Sequence, residues 1–486
     1  GVQLCVGLER LRRVAGEFQL VALSATVGSP ERAAEFIFGK RNHAVVRAPT
    51  PKEFRYSVEY PSPEQEDAPI SKATFSPIDL AARLSTINKL LDSHNSALIF
   101  VNSRTLAEML GEKLSRLRND VGVHHGSLPR EERERVEQAF KAGQLKVLVC
   151  TSTLELGIDI GSVDLVIQYM SPRQVTTLIQ RVGRSGHSVG RRSEGAIIAV
   201  SADDVLESSA CILEAQEGRL ERTEPYSASL DVLAHQVAGY LMDFETVESD
   251  SLLRDLKKLS PYNTLSEDSF WRVVKYLEEL RKLRVEGRVL KRTRGTREYY
   301  FENLSTIPDE TRYLVIDVAN NQGVGILGEE FVLLRAKVGL HFILKGRIWQ
   351  IEKVADDRKI YVTSVEDPLA AIPGWDGEML PVPFGLAQRT GRLRGRISEL
   401  LDSNSMEDAI QTLRKELPAD EESVGRVVEE IAEHKRTNAP VPTDKLVLVE
   451  GFQKYLIVHS CFGEKVNRAF GYAAEEILSK RGLVRL

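Results

Sequence analysis

Residues 150–187, CTSTLELGIDIGSVDLVIQYMSPRQVTTLIQRVGRSGH, constrain the fold more than any other stretch of the chain. The run LKVLVCTS (145–152) is short, apolar and rich in β-branched residues. It predicts a strand buried on both faces, which belongs to a parallel sheet covered by helices. DLVIQYM (164–170) predicts a second such strand. Between them, LELGIDI (154–160) is a loop with Glu155, Gly157 and Asp159 just past a strand's carboxyl end, where open α/β sheets bind ligands. Ser171-Pro172 is a helix-start signal, and Val175, Leu178, Ile179 and Val182 recur at helical spacing as an inward face. Gln180, Arg181 and Arg184 fall off that stripe. The two arginines are expected as i,i+3 neighbours on one helix face, able to grip one phosphate together. Gly186 is expected to stop the helix.

This string resembles motifs V and VI of superfamily 2 helicases. QRVGRSGH (180–187) is similar to the Q-R-x-G-R motif VI, and LELGIDIG (154–161) to motif V of the large helicase-related (Lhr) family. Ser24-Ala25-Thr26 is similar to motif III, the tripeptide that couples ATP hydrolysis to nucleic-acid contact. Asn102-Ser103-Arg104 is similar to motif IV, and His124-His125-Gly126-Ser127-Leu128 to the H-H-G-S segment after it. The resemblance implies an ATP-dependent 3′-to-5′ helicase or translocase on DNA or RNA–DNA hybrids, serving DNA repair. Gln180, Arg181 and Arg184 would be catalytic, reaching across a cleft to ATP held by another RecA-like domain. Glu155, Gly157 and Asp159 would face that nucleotide. Asn102, Ser103, Arg104, His125, Gly126, Ser127, Thr151 and Ser152 would hold one nucleic-acid strand. The chemistry suits that role, because small hydroxyl residues and glycine let backbone N–H groups approach phosphates.

No G-x-x-x-x-G-K-[ST] and no D-E-x-H string occurs in the chain. These motifs supply the phosphate cradle and the Mg²⁺-holding acids. The resemblance places them upstream, so ATP and Mg²⁺ would be held mainly outside this sequence. The chain opens on Gly1 rather than Met and is expected to be a fragment, inactive alone as an ATP hydrolase. A Ski2-like RNA helicase, or a non-catalytic nucleic-acid-binding module, remain alternative readings.

At 486 residues the chain is expected to form three or four domains. A net charge of −5 gives no global nucleic-acid signal, so any such surface must be a local patch. The four cysteines are scattered without a CxxC pair, which argues for a reducing, cytoplasmic setting and against zinc or a disulfide framework. No apolar run approaches membrane-spanning length, so no membrane partner is expected. His124-His125 is not expected to bind metal, because adjacent strand residues face opposite ways.

The expected order is a remnant of a first RecA-like domain over residues 1–60, with FQLVALSATVGSP (18–30) as a buried strand running into a loop. A Pro/Ser/Glu-rich linker follows at 61–84, then a second RecA-like domain with a parallel sheet at 85–215. Residues 216–305 read as a winged helix whose basic hairpin turns near Arg294-Gly295. Its segment 282–297 sets seven Lys or Arg against Glu286 alone, beside Tyr299, Tyr300 and Phe301. Lys291, Arg292 and Arg294 are therefore candidate phosphate contacts. Residues 306–394 read as a small β-rich, barrel-like module in which Trp349 is a candidate for base stacking. Residues 395–486 resemble the opening of the family's last α/β domain. The expected partner is single-stranded DNA or a tailed duplex, or an RNA–DNA hybrid; no protein partner is inferable.

Overall fold

The computed structural model describes residues 1–486 except 25, 48–52, 156–159, 187–191, 223–224, 307–310, 345–346, 356, 366–379, 453–454 and 481–486. The chain divides into two compact units, one of Thr50–Glu221 with Glu310–Leu486, the other of Gly1–Pro49 with Arg222–Asp309.

The first unit is built on a six-stranded sheet. Its strands are β1 (Phe54–Glu59), β2 (Ala97–Phe100), β3 (Val121–His124), β4 (Val147–Cys150), β5 (Leu165–Tyr169) and β6 (Ser193–Ile198). They run in the order β1-β6-β5-β2-β4-β3, every neighbouring pair parallel. The uninterrupted apolar runs have a direct cause. Leu98, Phe100, Leu148, Cys150 and Val166 enter one core, while Ala97, Ile99, Val147, Val149, Leu165 and Ile167 enter the other. A strand with helices on both faces has no polar side to show. Because all six strands run the same way, their carboxyl-end loops gather at one edge of the sheet.

Three domain expectations are corrected here. Strand β1 pairs with β6, so residues 54–59 belong to this sheet and not to a preceding domain. The expected linker carries helices Ala68–Thr74 and the start of Ile78–Asp92, the latter running across the expected boundary at 84. Helix Phe384–Ser403 likewise runs across the boundary at 394. With Glu421–Arg436 it joins the sheet's own core, since Ile397, Leu400, Val424 and Val427 belong to the same buried cluster as Phe100 and Val166, both helices packing on helix Ala202–Gln216.

The β-rich module is a five-stranded sheet in the order Gly323–Gly328, Arg312–Asp317, Lys359–Ser364, Arg347–Ala355, His341–Leu344. Trp349 is a core residue of this module, 4% exposed, with its Nε1–H donating to the Leu344 carbonyl at 2.7 Å. That corrects the base-stacking expectation, because the ring has no open face and its polar atom is already satisfied. A hairpin, Leu448–Phe452 with Tyr455–His459, and helix Glu464–Lys480 follow.

The second unit is a winged helix with an added helix. Helices Leu230–Phe244, Ser249–Lys258 and Glu267–Glu279 surround a three-stranded sheet of Thr246–Glu248, Val289–Arg292 and Leu283–Glu286. Helix Val2–Ala15 packs into the same core through Val2 and Val6, beside Leu233, Val237 and Tyr240. Arg10 locks it there, with Nε donating to Asp243 at 2.8 Å and Nη1 to Gln236 and Tyr300, both at 3.1 Å. The strand expected at 18–30 is not formed. Val21 and Leu23 stand 67% and 92% exposed, and no strand among the described residues pairs with that stretch. A buried parallel strand needs neighbours on both edges to satisfy its backbone. The wing turns at Gly287, whose φ is +63°, and not at Arg294-Gly295, where a Thr293-capped helix Arg294–Glu302 begins. Among the described residues, no helix is long and apolar enough to cross a membrane.

Candidate motor and strand-contact site

The site is the carboxyl edge of the parallel sheet. Helix Val175–Val182 lies there after β5 and ends earlier than its sequence suggests. Gly183 follows its last turn, its N–H donating to the Ile179 carbonyl at 2.8 Å, and an added Cβ there would stand 2.6 Å from that oxygen. Gly186 then takes φ +66°, with a Cβ position 2.5 Å from the Arg192 carbonyl oxygen. Arg184 sits in the turn between these two glycines. The expectation of two arginines on one helix face is thereby corrected.

The two arginines have different surroundings. Arg181 is 2% exposed and faces inward beneath the loops. Its Nε donates to Glu155 Oε1 at 2.7 Å, and its Nη1 donates to Asn102 Oδ1 at 2.9 Å and Gln168 Oε1 at 2.8 Å. Its guanidinium carbon lies 5.3 Å from the Phe100 ring centre. Arg184 is half-buried, and both its Nε, at 2.7 Å, and its Nη2 donate to the Glu155 carbonyl oxygen. Partial burial draws Arg184 below its ordinary value, against the pull of the Glu155 charge. Glu155 is thus the hub, its carboxylate on Arg181 and its carbonyl on Arg184. Gln180 is half-buried on the same helix. Gly157 and Asp159 lie outside the described residues, as does Ala25. Ser24 is exposed, its Oγ donating to the Thr26 carbonyl at 3.4 Å.

The loops after β2, β3 and β4 are more tied down than the sequence implies. Asn102 is used at both ends, its Nδ2 donating to the Ser171 carbonyl at 2.7 Å while its Oδ1 holds Arg181. Ser103 caps helix Arg104–Ser115, accepting from the Leu106 N–H at 3.1 Å. Arg104 donates to Ser127 Oγ at 3.0 Å. His125 is fully buried, which corrects its expected contact with a phosphate. Its Nδ1 accepts from the Ser127 N–H at 3.2 Å, which leaves Nε2 to donate to Glu108 at 2.7 Å. The Ser127 carbonyl accepts from the Ile326 N–H of the β-rich module at 3.1 Å. Ser127 is therefore engaged at its amide, hydroxyl and carbonyl, and its side chain is corrected from strand contact to loop support. His124 points the other way, Nδ1 to Thr153 and Nε2 to Glu137, both at 2.8 Å. Burial pushes the His124 imidazole below its ordinary value, with Glu137 opposing. Thr151 is buried, whereas Gly126 and Ser152 are exposed and Arg104 half-buried. On the wing, Lys291 and Arg284 both pair with Glu286, and Arg288 with Asp250. Arg292 and Arg294 are exposed.

Sequence reasoning missed Glu108, Gln168 and Glu221. Gln168 left a signal as the lone polar residue inside an apolar strand. Glu108 and Glu221 left none, since each is one acid among many in a charged stretch.

The chain matches three family descriptions: the helicase conserved C-terminal domain over residues 82–188, the large helicase-related protein winged helix domain over 213–369, and the DEAD/H associated domain over 441–486. It is 31% identical to the ATP-dependent helicase Lhr-Core protein 2 of Thermococcus barophilus, across 99% of this chain and 57% of that protein. It is 33% identical to the ATP-dependent helicase Lhr-Core of Methanocaldococcus jannaschii, across 99% of this chain and 56% of that protein. The chain therefore spans a little over half the length of these curated relatives. Among solved structures it resembles the Mycobacterium smegmatis helicase Lhr bound to ssDNA and AMP-PNP, with TM-score 0.74 and 26% identity over 99% of this chain and 60% of that one.

Proposed function

The chain belongs to the large helicase-related family, and from that premise we propose that the intact protein is an ATP-driven 3′-to-5′ DNA translocase and helicase of DNA repair. The observation that carries the reading is the hub at Glu155, where one residue of motif V holds both arginines of motif VI. Such a link lets a change at the nucleotide reach the loops at the sheet's carboxyl edge. Of the two arginines, Arg184 is the one assigned to the nucleotide, because it alone is partly open to solvent. It would stabilise charge on the transferring phosphoryl group. ATP supplies the free energy of movement. Mg²⁺ would accompany the ATP, as phosphoryl transfer of this kind requires.

In the first unit a strand would run over the exposed Gly126 and Ser152 backbone and past Arg104; in the winged-helix unit, taken by itself, Arg292 and Arg294 are the proposed phosphate contacts. Single-stranded DNA and tailed duplexes are the proposed substrates, with RNA–DNA hybrids as a second duplex type. The proposed setting is the cytoplasm, with which four buried free thiols are compatible. The test is strand separation by the intact protein on duplexes bearing a 3′ or a 5′ tail. ATP-dependent opening of the 3′-tailed duplex alone is expected. Opening from the 5′ tail, or opening without ATP, would overturn the reading.

A further inference from the structure

Helix Val175–Val182 has no cap of its own, since the Gln174 side chain makes no capping hydrogen bond. The first amides of a helix lack intrahelical acceptors, and something else must accept from them. Here that group comes from 45 residues downstream. The Glu221 carboxylate accepts from the Val175 N–H, from the Thr176 N–H at 2.9 Å, and from the Thr176 hydroxyl. A carboxylate at a helix amino end is doubly suited, by hydrogen bonding and by charge.

The position of Glu221 in the chain gives this cap its consequence. Helix Ala202–Gln216 ends at a turn through Gly218, with φ +69°. Arg219 fixes the chain after it, Nε donating to Glu214 at 2.7 Å. Two residues later Glu221 is the last residue of its unit, and Arg222 is the first of the winged-helix segment. The residue at which the chain leaves one unit for the other is thus bonded to the first turn of the helix that leads to Arg181 and Arg184.

We infer that Glu221 is a positioning residue that ties one of the three points where the chain passes between units, 221/222, to the arginine-bearing helix, so that nucleotide turnover is converted into strand separation through the winged-helix segment that begins there. The inference rests on the motor reading proposed above. Glu221 touches neither nucleotide nor strand in this scheme. Removing its carboxylate is therefore expected to leave turnover largely intact, because Val175, Leu178 and Val182 still bury the helix in the core. What is lost is the tie.

The experiment compares DNA-stimulated ATP hydrolysis and unwinding of a tailed duplex, side by side, in the intact protein. The variants are Glu221→Gln, which keeps the shape but turns an amide NH₂ toward N–H donors, and Thr176→Val, which removes only the hydroxyl donor. Hydrolysis within about threefold of wild type is expected for both, with base pairs opened per ATP falling roughly tenfold in Glu221→Gln and less in Thr176→Val. Equal loss of hydrolysis and unwinding would mean that Glu221 merely stabilises the helix, and would overturn the inference. Unchanged unwinding in both variants would overturn it as well. A wild-type protein without DNA-stimulated hydrolysis would instead sink the motor reading, and this inference with it.

Discussion

Arg181 and Arg184 stand three positions apart in one motif, yet one is a buried strut and the other a half-open cation. The sequence marks both as arginines of a Q-R-x-G-R string. It cannot tell them apart, because the partners that bury Arg181 are Glu155, Gln168 and Asn102, between 13 and 79 residues away. Arg181→Ala leaves the Glu155 carboxylate without its counter-charge inside the fold. A loss of about 3–5 kcal/mol is expected, read as a lowered unfolding midpoint in urea. Arg184→Ala, which removes a half-buried guanidinium rather than a fully buried one, is expected to lower that midpoint less. Buried His124 carries a pH signature. The folded His124 takes up its proton only below its ordinary value of 6.5, whereas the unfolded chain titrates at that value. As pH falls through 6.5 the unfolded state binds more protons, so stability present above that pH is lost. Unfolding midpoints at pH 7.5 and 5.5 should show a larger drop for wild type than for His124→Asn. An equal drop in both would show that His124 titrates as freely folded as unfolded.

At the scale of elements, legibility followed burial. The strands β2, β4 and β5 were readable because both faces are covered, which leaves an unbroken apolar run. The stretch 18–30 carries the same kind of pattern, yet no strand among the described residues pairs with it, and pattern alone cannot reveal that. The wing was misplaced by a few residues because Arg294-Gly295 looks like a turn, whereas Gly287 takes the left-handed conformation and Thr293 caps a new helix. The correction sharpens the expected DNA footprint. Arg292→Ala and Arg294→Ala should each flatten the salt dependence of DNA binding by roughly one unit of slope. Lys291→Ala should change it less, since Glu286 already pairs with that ammonium. Equal slopes across all three variants and wild type would remove the wing from the strand path. Helix Val2–Ala15 offers a second test. A Cβ at Gly239 would lie 2.2 Å from Arg10 Nη1, so Gly239→Ala must displace a guanidinium held by Asp243, Gln236 and Tyr300. Lost bonds worth about 1–2 kcal/mol are offset by the roughly 0.5–1 kcal/mol that alanine gains over glycine inside helix Leu230–Phe244, so a small net loss is expected. Faster amide exchange over 2–15, with the wing unaffected, would register it.

At the scale of the whole molecule, the chain does not divide in the order in which it is read. Residues 1–49 share a unit with 222–309, and 50–221 with 310–486. Sequence reading cuts a chain into consecutive pieces, and contacts such as Arg10 with Asp243, 233 residues apart, leave no local trace. The same holds for the helices after 383, whose place in the parallel sheet's core leaves no local trace in the sequence. The motif strings were legible as strings, and Gly186 takes the left-handed backbone its residue type suits, whereas the distant partners of Arg181 were not legible. Arg184 is where these scales meet, as the half-open cation at the end of the helix that Glu155 holds from one side and Glu221 from the other. The most direct test is the turnover of the intact protein carrying Arg184→Ala, measured with saturating single-stranded DNA, beside its affinity for that DNA. A fall in kcat on the order of 10³-fold with DNA affinity nearly unchanged is the predicted result. Normal turnover with a large loss of DNA affinity would place Arg184 on the strand and contradict its assignment to the nucleotide.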